Sequence, residues 1–418
     1  MGKRYYLLLS AYLTSSMGNW VYRITLPLLV LHQTGSALST SLVYVVEYVP
    51  FLIFSLPGGV WADRWNRRRI LITGDLTAAA IATGLATLVI AGTSQLWPIL
   101  LAALLLGCVE PVYHPAFQSF IPDVTPKDQL AQANGWMQSG DNIMGMLGPV
   151  LAGGAITLFG YEATIAVNAL SFFVSAGAIV LIGKVEAPRA VRDADAAKPS
   201  FVKEIAEAGR YIFRKNRLLL TGSLLFTGTN FATWIVQANF VFYLTSYRHF
   251  SPTVLGALIA SQGAGAVVGA TVAGRLNRKF PPGRIILTTT AVAGCATLVL
   301  IPLRAPLLIG MAWGLLYACA SINMVSWFTL RQRIVPSALL GRVVATTRML
   351  AFASIPLAAF VGGAIENTFH DLYLIMAASG IVRLCIAGFA WFSPMRGATS
   401  APPAPESTRE RAAAEPSA

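Results

Sequence analysis

GGVWADRWNRR (58–68) and GATVAGRLNRK (269–279) stand 211 residues apart and agree at five of eleven positions. Gly58/Gly269, Ala62/Ala273, Arg64/Arg275, Asn66/Asn277 and Arg67/Arg278 are identical, and Arg68/Lys279 keeps the charge. The same offset lays Asn19 on Asn230. Offsets of 207 to 210 lay Pro126 on Pro336 and Pro149 on Pro356. Several landmarks within four residues of one offset mark an internal duplication.

Both copies of this basic loop lie between long apolar stretches. The chain has 418 residues, 55% of them hydrophobic and 12% charged. A soluble chain carries about 25% charged residues, so half the usual solvating charge is missing. That excludes a soluble enzyme. A nucleic-acid binder is excluded as well, because the net charge of +13 forms no stripe of Lys and Arg among exposed aromatics. The four cysteines sit singly inside apolar stretches, with neither disulfide nor metal-site spacing. No cofactor motif is present.

A membrane-spanning helix needs about 20 mostly apolar residues. Twelve such stretches are predicted, near 5–31, 40–61, 69–92, 97–117, 133–158, 163–183, 218–246, 253–274, 285–302, 306–330, 342–365 and 372–393. The loops after even-numbered spans, with the two termini, hold 26 of the 31 Lys and Arg residues. Cationic loops stay on the cytoplasmic side, so both termini are expected there, in a plasma (inner) membrane. The expected fold is all-α, with two pseudo-symmetric six-helix halves at 1–184 and 218–394. Between them, 185–217 is expected to be a cytoplasmic linker. Its stretch 201–217 puts Phe201, Ile205, Ala208 and Ile212 on one helical face, as suits a helix at the membrane surface. The Ala-, Pro- and Ser-rich tail 395–418 is expected to be disordered.

The loop from Gly58 through Asp63, Arg64, Arg67 and Arg68 resembles the signature loop between spans 2 and 3 of the major facilitator superfamily. The resemblance covers roughly 5–394. It implies a small-molecule transporter working as a monomer by alternating access, with the substrate site between the halves near the bilayer midplane. In that cycle Asp63 would face the N-terminus of span 11 near Gly341, Arg64, Arg67 and Arg68 would reach Asp75 or Asp123, and Arg275 and Arg278 would repeat the loop in the second half. Span 5 carries Gly145, Gly148-Pro149 and Gly153, similar to the superfamily's antiporter motif. Ala152 and Met144 stand where that motif has glycine. The stretch 115–135 resembles the macrolide-efflux and enterobactin-exporter branch.

Ionisable residues inside a membrane default to a functional hypothesis. Arg23 and Glu47 lie at similar depth on spans 1 and 2 and are expected to pair. Glu110, on a span the resemblance places at the cavity, is the first candidate for carrying a proton, with Asp141 second and Glu47 third. Arg348 is the counterpart of Asp141 under the 207-residue offset. Arg383 has no partner that the sequence names. Helical spacing adds cavity candidates: Asn19 on span 1, Tyr113 and Phe117 on span 4, Asn230, Trp234 and Gln237 on span 7, and Trp313, Tyr317 and Met324 on span 10. Few polar groups among many aromatics suit a bulky amphiphile. The leading expectation is export of hydrophobic or amphiphilic molecules, such as drugs, antibiotics or siderophores, in exchange for protons. Uptake or lipid movement on the same fold, and a non-transporting sensor or scaffold, are the alternatives. No phosphate loop, nucleophile–base pair or metal spacing points to an enzyme.

Overall fold

The computed structural model describes residues 1–92, 95–185, 209–335 and 337–398, leaving the side chains of 55–60, 62–64, 127, 131, 138, 215 and several positions between 337 and 345 undescribed. Its helices are α1 (Lys3–Thr34), α2 (Ala37–Arg64), α3 (Arg67–Ile90) and α4 (Leu96–Val124). The run Leu130–Leu181 is broken at Gly160, whose φ of 79° only glycine adopts readily. It therefore forms two helices, α5 (130–159) and α6 (161–181). The second half holds α7 (Arg217–Phe242), α8 (Pro252–Lys279), α9 (Pro282–Val299), α10 (Pro306–Ile334), α11 (Ser337–Phe369) and α12 (Leu372–Trp391).

Local chemistry sets the boundaries. Gly35, at φ 63°, turns the chain out of α1, and Ser36 accepts the Ser39 amide to start α2. Asn66, Asn216 and Ser251 cap α3, α7 and α8 in the same way. Pro252, Pro282 and Pro306 occupy the first turn of α8, α9 and α10, where a missing N–H costs nothing.

Ten helical stretches among the described residues are long and apolar enough to cross a membrane, and one of them is the double-length run over Gly160. Counting that run as two leaves α1 as the helix that fails on hydropathy. Ser15, Ser16, Asn19 and Arg23 on one face of α1 account for this, because they line a cavity.

The duplication is visible in the packing. In the first half α1 packs on α5 and α6, α2 on α4, and α3 on α4 and α6. In the second half α7 packs on α11 and α12, α8 on α10, and α9 on α10 and α12. Each pairing recurs six helices later. The halves meet through α5 on α8 and α2 on α11, which the same symmetry exchanges. Those contacts gather at the end of the bundle carrying the α1–α2, α7–α8 and α11–α12 turns. There Ser41 donates to Asn239 Oδ1 at 3.1 Å, and the Thr157 and Thr253 hydroxyls lie 2.9 Å apart.

Two boundary expectations need correction. Ile212, expected at the membrane surface, is fully buried in a π-helical turn (Tyr211–Lys215) and packs with Leu219, Leu330 and Val335. Its burial against α7 and α10 ties this end of the linker to the second half. Residues 186–208 lie outside the described residues. Met395 and Ala398, assigned to a disordered tail, are buried beside α9, where the Gly283 amide donates to the Ala398 carbonyl. Residues 399–418 lie outside the described residues.

Candidate functional site

A cavity of about 380 Å3 opens inside the first half. It draws on all six helices, with polar residues turned inward on five of them and Phe172 from the sixth. Tyr12, Ser16, Asn19 and Arg23 come from α1, and Glu47, Tyr48 and Phe51 from α2. Glu110, Tyr113, His114 and Phe117 come from α4, while Asp75, Asp141 and Phe172 reach in from α3, α5 and α6. Gly107 lets α4 approach α2, since a Cβ there would collide with the Glu47 carbonyl oxygen. That close crossing brings Glu47 and Glu110 into one chamber.

Arg23 Nε lies 3.7 Å from Glu47 Oε1, the pairing the sequence anticipates. The Arg23 side chain keeps 42% of its exposure and Glu47 keeps 17%, so the pair faces the cavity. Asp141 accepts a hydrogen bond from the Tyr12 hydroxyl, and Tyr12 stacks on Phe117 with ring centroids 4.7 Å apart. Glu110 is exposed to the cavity, one helical turn from His114. Sequence reasoning did not nominate Asp75 for this site, placing it as a partner of the loop arginines. It is 2% exposed and accepts from Ser175 at 2.7 Å and from the Tyr113 hydroxyl at 3.3 Å. Its position on α3 outside any motif hid it. The usable signal was an aspartate eight residues inside an apolar span.

The second-half candidates are placed differently. Among the described lining, the cavity is formed by first-half residues alone. Asn230 bonds α7 to α11 through the Ala351 carbonyl and Ser354. Trp234 packs edge-on against Tyr48, 4.9 Å between centroids, behind the cavity wall. Gln237 accepts from the Tyr317 hydroxyl. Trp313 is fully buried and stacked on Phe240 at 3.7 Å, in the core that joins the halves, so it is a packing residue here. Met324 is 71% exposed and does not share its environment. Helical spacing found a common face, but the neighbouring helix decided what covered it.

Arg348 lies over the rings of Phe51 and Phe352 at the α2–α11 crossing. Arg383 is 3% exposed and donates to Thr233 Oγ1 at 2.5 Å, which supplies the partner the sequence left open. Arg331, read as a loop residue, is instead buried in α10 and donates to Thr347 at 2.6 Å.

The glycines of α5 sit where backbone meets backbone. A Cβ on Gly153 would strike the Pro252 carbonyl, and one on Gly256 would strike the Pro149 carbonyl. Gly145 and Gly148 make room for the Trp20 ring of α1. In the signature loop, Arg67 pairs with Asp123 at 2.9 Å. Arg68 reaches neither expected aspartate and donates to the Ile179 and Val180 carbonyls at the end of α6, which a cation there stabilises. Arg275 and Arg278 are exposed at the end of α8. The side chains of Gly58, Asp63 and Arg64, and the surroundings of Gly341 in α11, lie outside what the structure describes. No cluster of His, Cys, Asp and Glu suited to a metal occurs among the described residues.

Residues 8–359 match the Major Facilitator Superfamily, and the chain belongs to that family of membrane transporters, which are not enzymes. It is 25% identical over 394 residues to the multidrug efflux pump Tap of Mycobacterium tuberculosis, covering 91% of this chain and 92% of that protein. It is 23% identical over 291 residues to macrolide efflux protein A of Streptococcus pyogenes, covering 69% and 70%. Its fold is similar to that of a bacterial homologue of the human lysosomal transporter Spinster in an inward-facing, occupied conformation. That likeness has a TM-score of 0.74 at 14% identity over 94% of this chain and 96% of the other. A bacterial homologue of the iron transporter ferroportin in an inward-facing state gives a TM-score of 0.72 at 14% identity, over 93% and 98%. These two likenesses concern the fold.

Proposed function

We propose that this transporter exports amphiphilic small molecules, above all lipophilic cations, in exchange for protons, across a plasma (inner) membrane with both its termini cytoplasmic. The observation that carries this is the cavity's charge. Glu47, Glu110 and Asp141 line it together with a single arginine, among Tyr, Trp and Phe rings. Carboxyls in a partly desolvated chamber suit both a cation and a proton, and competition between the two is antiport. Aromatic faces add attraction for an organic cation. The efflux activities named for the two relatives support the direction of transport.

In this reading the halves 1–184 and 218–394 rock about the α5–α8 and α2–α11 crossings. Cationic loops at the cytoplasmic side would make the joined end of the bundle the outer end, so the present conformation would face inward. Glu110 and Asp141 are the coupling carboxyls, and the Arg23–Glu47 pair sets the charge of the empty cavity. The protein would work as a monomer.

Purified protein in liposomes with an internal pH-sensitive dye tests the reading. A lipophilic cation added to one side should drive proton movement, and Glu110→Gln or Asp141→Asn should abolish it. Cation flux with no proton movement would sink the antiport assignment. No flux with cations, macrolides or siderophores would sink export altogether.

A further inference from the structure

A second cleft, of about 540 Å3, lies beside the acidic cavity between α3 and α4. Its wall includes Trp65 at the α2–α3 turn, Arg69 and Thr73 on α3, and Cys108 and Val112 on α4. Arg69 is the sole charged residue of its described lining, so the cleft has no carboxyl to offer a cation. The two spaces share two residues, Val109 and Tyr113. The Tyr113 ring is the larger part of that shared wall.

Three contacts hold the ring in place. It lies over Gly74, where a Cβ would come within 2.9 Å of its Cδ2. It stacks on Phe117 with centroids 6.2 Å apart. Its hydroxyl donates to Asp75 Oδ2 at 3.3 Å, and Ser175 donates to the same oxygen at 2.7 Å. Asp75 itself is buried, away from the open part of the cavity where Glu110 and Asp141 stand. The glycine gives the ring room, and the carboxylate gives it an anchor.

We propose that Tyr113, tethered by Asp75, is a partition that sets substrate size. A compact cation occupies the acidic cavity alone. A ligand with an amine on a large neutral body needs both compartments, with its amine among the carboxyls and its body in the carboxyl-free cleft, and it enters only when the ring swings aside. A space of 380 Å3 lies near the lower end of the range for ligand pockets, about 300–1,000 Å3, so a macrocycle does not fit until the two join. Tyr113 touches the substrate, and Asp75 is a positioning residue acting through it. This proposal rests on the export reading above and names the substrate classes of that same site.

Cys108 lines the cleft and not the cavity, which makes it a native reporter. The full-length protein with Cys295→Ser, Cys319→Ala and Cys385→Ser would be placed in liposomes. N-ethylmaleimide labelling of Cys108 would be timed with erythromycin, an amine-bearing macrocycle, and with ethidium, a compact planar cation. Erythromycin should slow labelling and ethidium should not. Tyr113→Phe and Asp75→Ala each remove the tether and should raise erythromycin flux relative to ethidium about five- to tenfold, as expected for loss of one buried hydrogen bond. Asp75→Asn keeps an acceptor oxygen and should leave the ratio near wild type. Equal protection by both probes, protection by neither, or an unchanged flux ratio in Tyr113→Phe would overturn the proposal. If Asp75→Ala does not fold, Tyr113→Phe still decides. Should wild-type protein move neither probe, the export reading fails, while differential protection of Cys108 would still mark the partition.

Discussion

The two halves share one packing plan and opposite interior chemistry. Within its helices the first half holds Asp75 buried, Glu47 and Asp141 half-buried and Glu110 exposed to the cavity. The corresponding helices of the second half carry Arg331 and Arg383 buried and Arg348 exposed at the α2–α11 crossing, and their two acids, Glu366 and Asp371, stand at the α11–α12 turn. Asp141 and Arg348 show the contrast at one pair of duplicated positions. Duplication copied the helix contacts, which depend on small residues and shape. The interior charges then diverged, because each needs only a local partner: Tyr12 for Asp141, two aromatic rings for Arg348 and a threonine for Arg383. The first half thus concentrates acidic side chains around its cavity. The second half is a counter-surface whose buried cations meet threonines, while the Nε atoms of Arg331 and Arg383 have no hydrogen-bond partner among the described residues.

The contact that makes the halves a single machine is the most sensitive place to test this. Gly153→Leu or Gly256→Leu would force apart the α5–α8 crossing, where carbonyls occupy the space a side chain needs. Transport should be abolished, with folded protein still recoverable by size-exclusion chromatography. Retained flux would show that the crossing is not where the halves must meet.

Next in size is the division of labour itself. Asp141→Asn or Glu110→Gln should uncouple proton movement from cation flux in the liposome assay. Arg383→Met in the other half should leave that coupling intact. That change removes a buried charge together with its desolvation cost, so the thermal unfolding midpoint should hold or rise. Loss of coupling in Arg383→Met would erase the proposed contrast.

The Arg23–Glu47 pair gives a smaller effect. A double-mutant cycle with Arg23→Gln and Glu47→Gln, read in cation affinity, should show an interaction energy of about 0.5–3 kcal/mol, as for residues in direct contact. Glu47→Gln alone should weaken cation binding, and Arg23→Gln alone should strengthen it. Additive effects would mean that the two side chains do not act as a pair. Smallest of all, Arg67→Ala or Asp123→Asn should cost about 1 kcal/mol or less in stability, since Arg67 stays partly exposed. A larger loss, or a loss of flux at normal stability, would move this loop pair into the transport cycle.

Much of the architecture was legible because a bilayer imposes simple demands. Spans must be apolar and of near-constant length, so the helices could be placed from hydropathy, and the Asn66/Asn277 landmarks marked the duplication. Pairing of Arg23 with Glu47 was legible because equal depth on neighbouring spans leaves two opposite charges little other choice. The backbone contact at Gly153 followed from the same reasoning, since glycines in a span allow backbone approach, whereas Gly145 and Gly148 make room for the Trp20 ring.

What tertiary structure decided was which face of each helix met which neighbour. Trp313 and Asn230 carried the spacing of cavity residues and are buried in contacts made by α7, α10 and α11. Asp75, passed over in the sequence, stands beside the cavity because α4 and α6 close on α3. Arg68 found partners on a helix more than a hundred residues along the chain, and Arg331 found its partner on the next helix. The sequence by itself determined that this is a duplicated, twelve-helix membrane transporter with charges placed within its spans. Hydropathy and repetition are properties of a chain read one residue at a time. The acidic cavity, its confinement to one half and the Tyr113 partition depend on contacts across the chain, such as Tyr113 with Asp75 at 38 positions and Tyr12 with Asp141 at 129. Only packing brings those together.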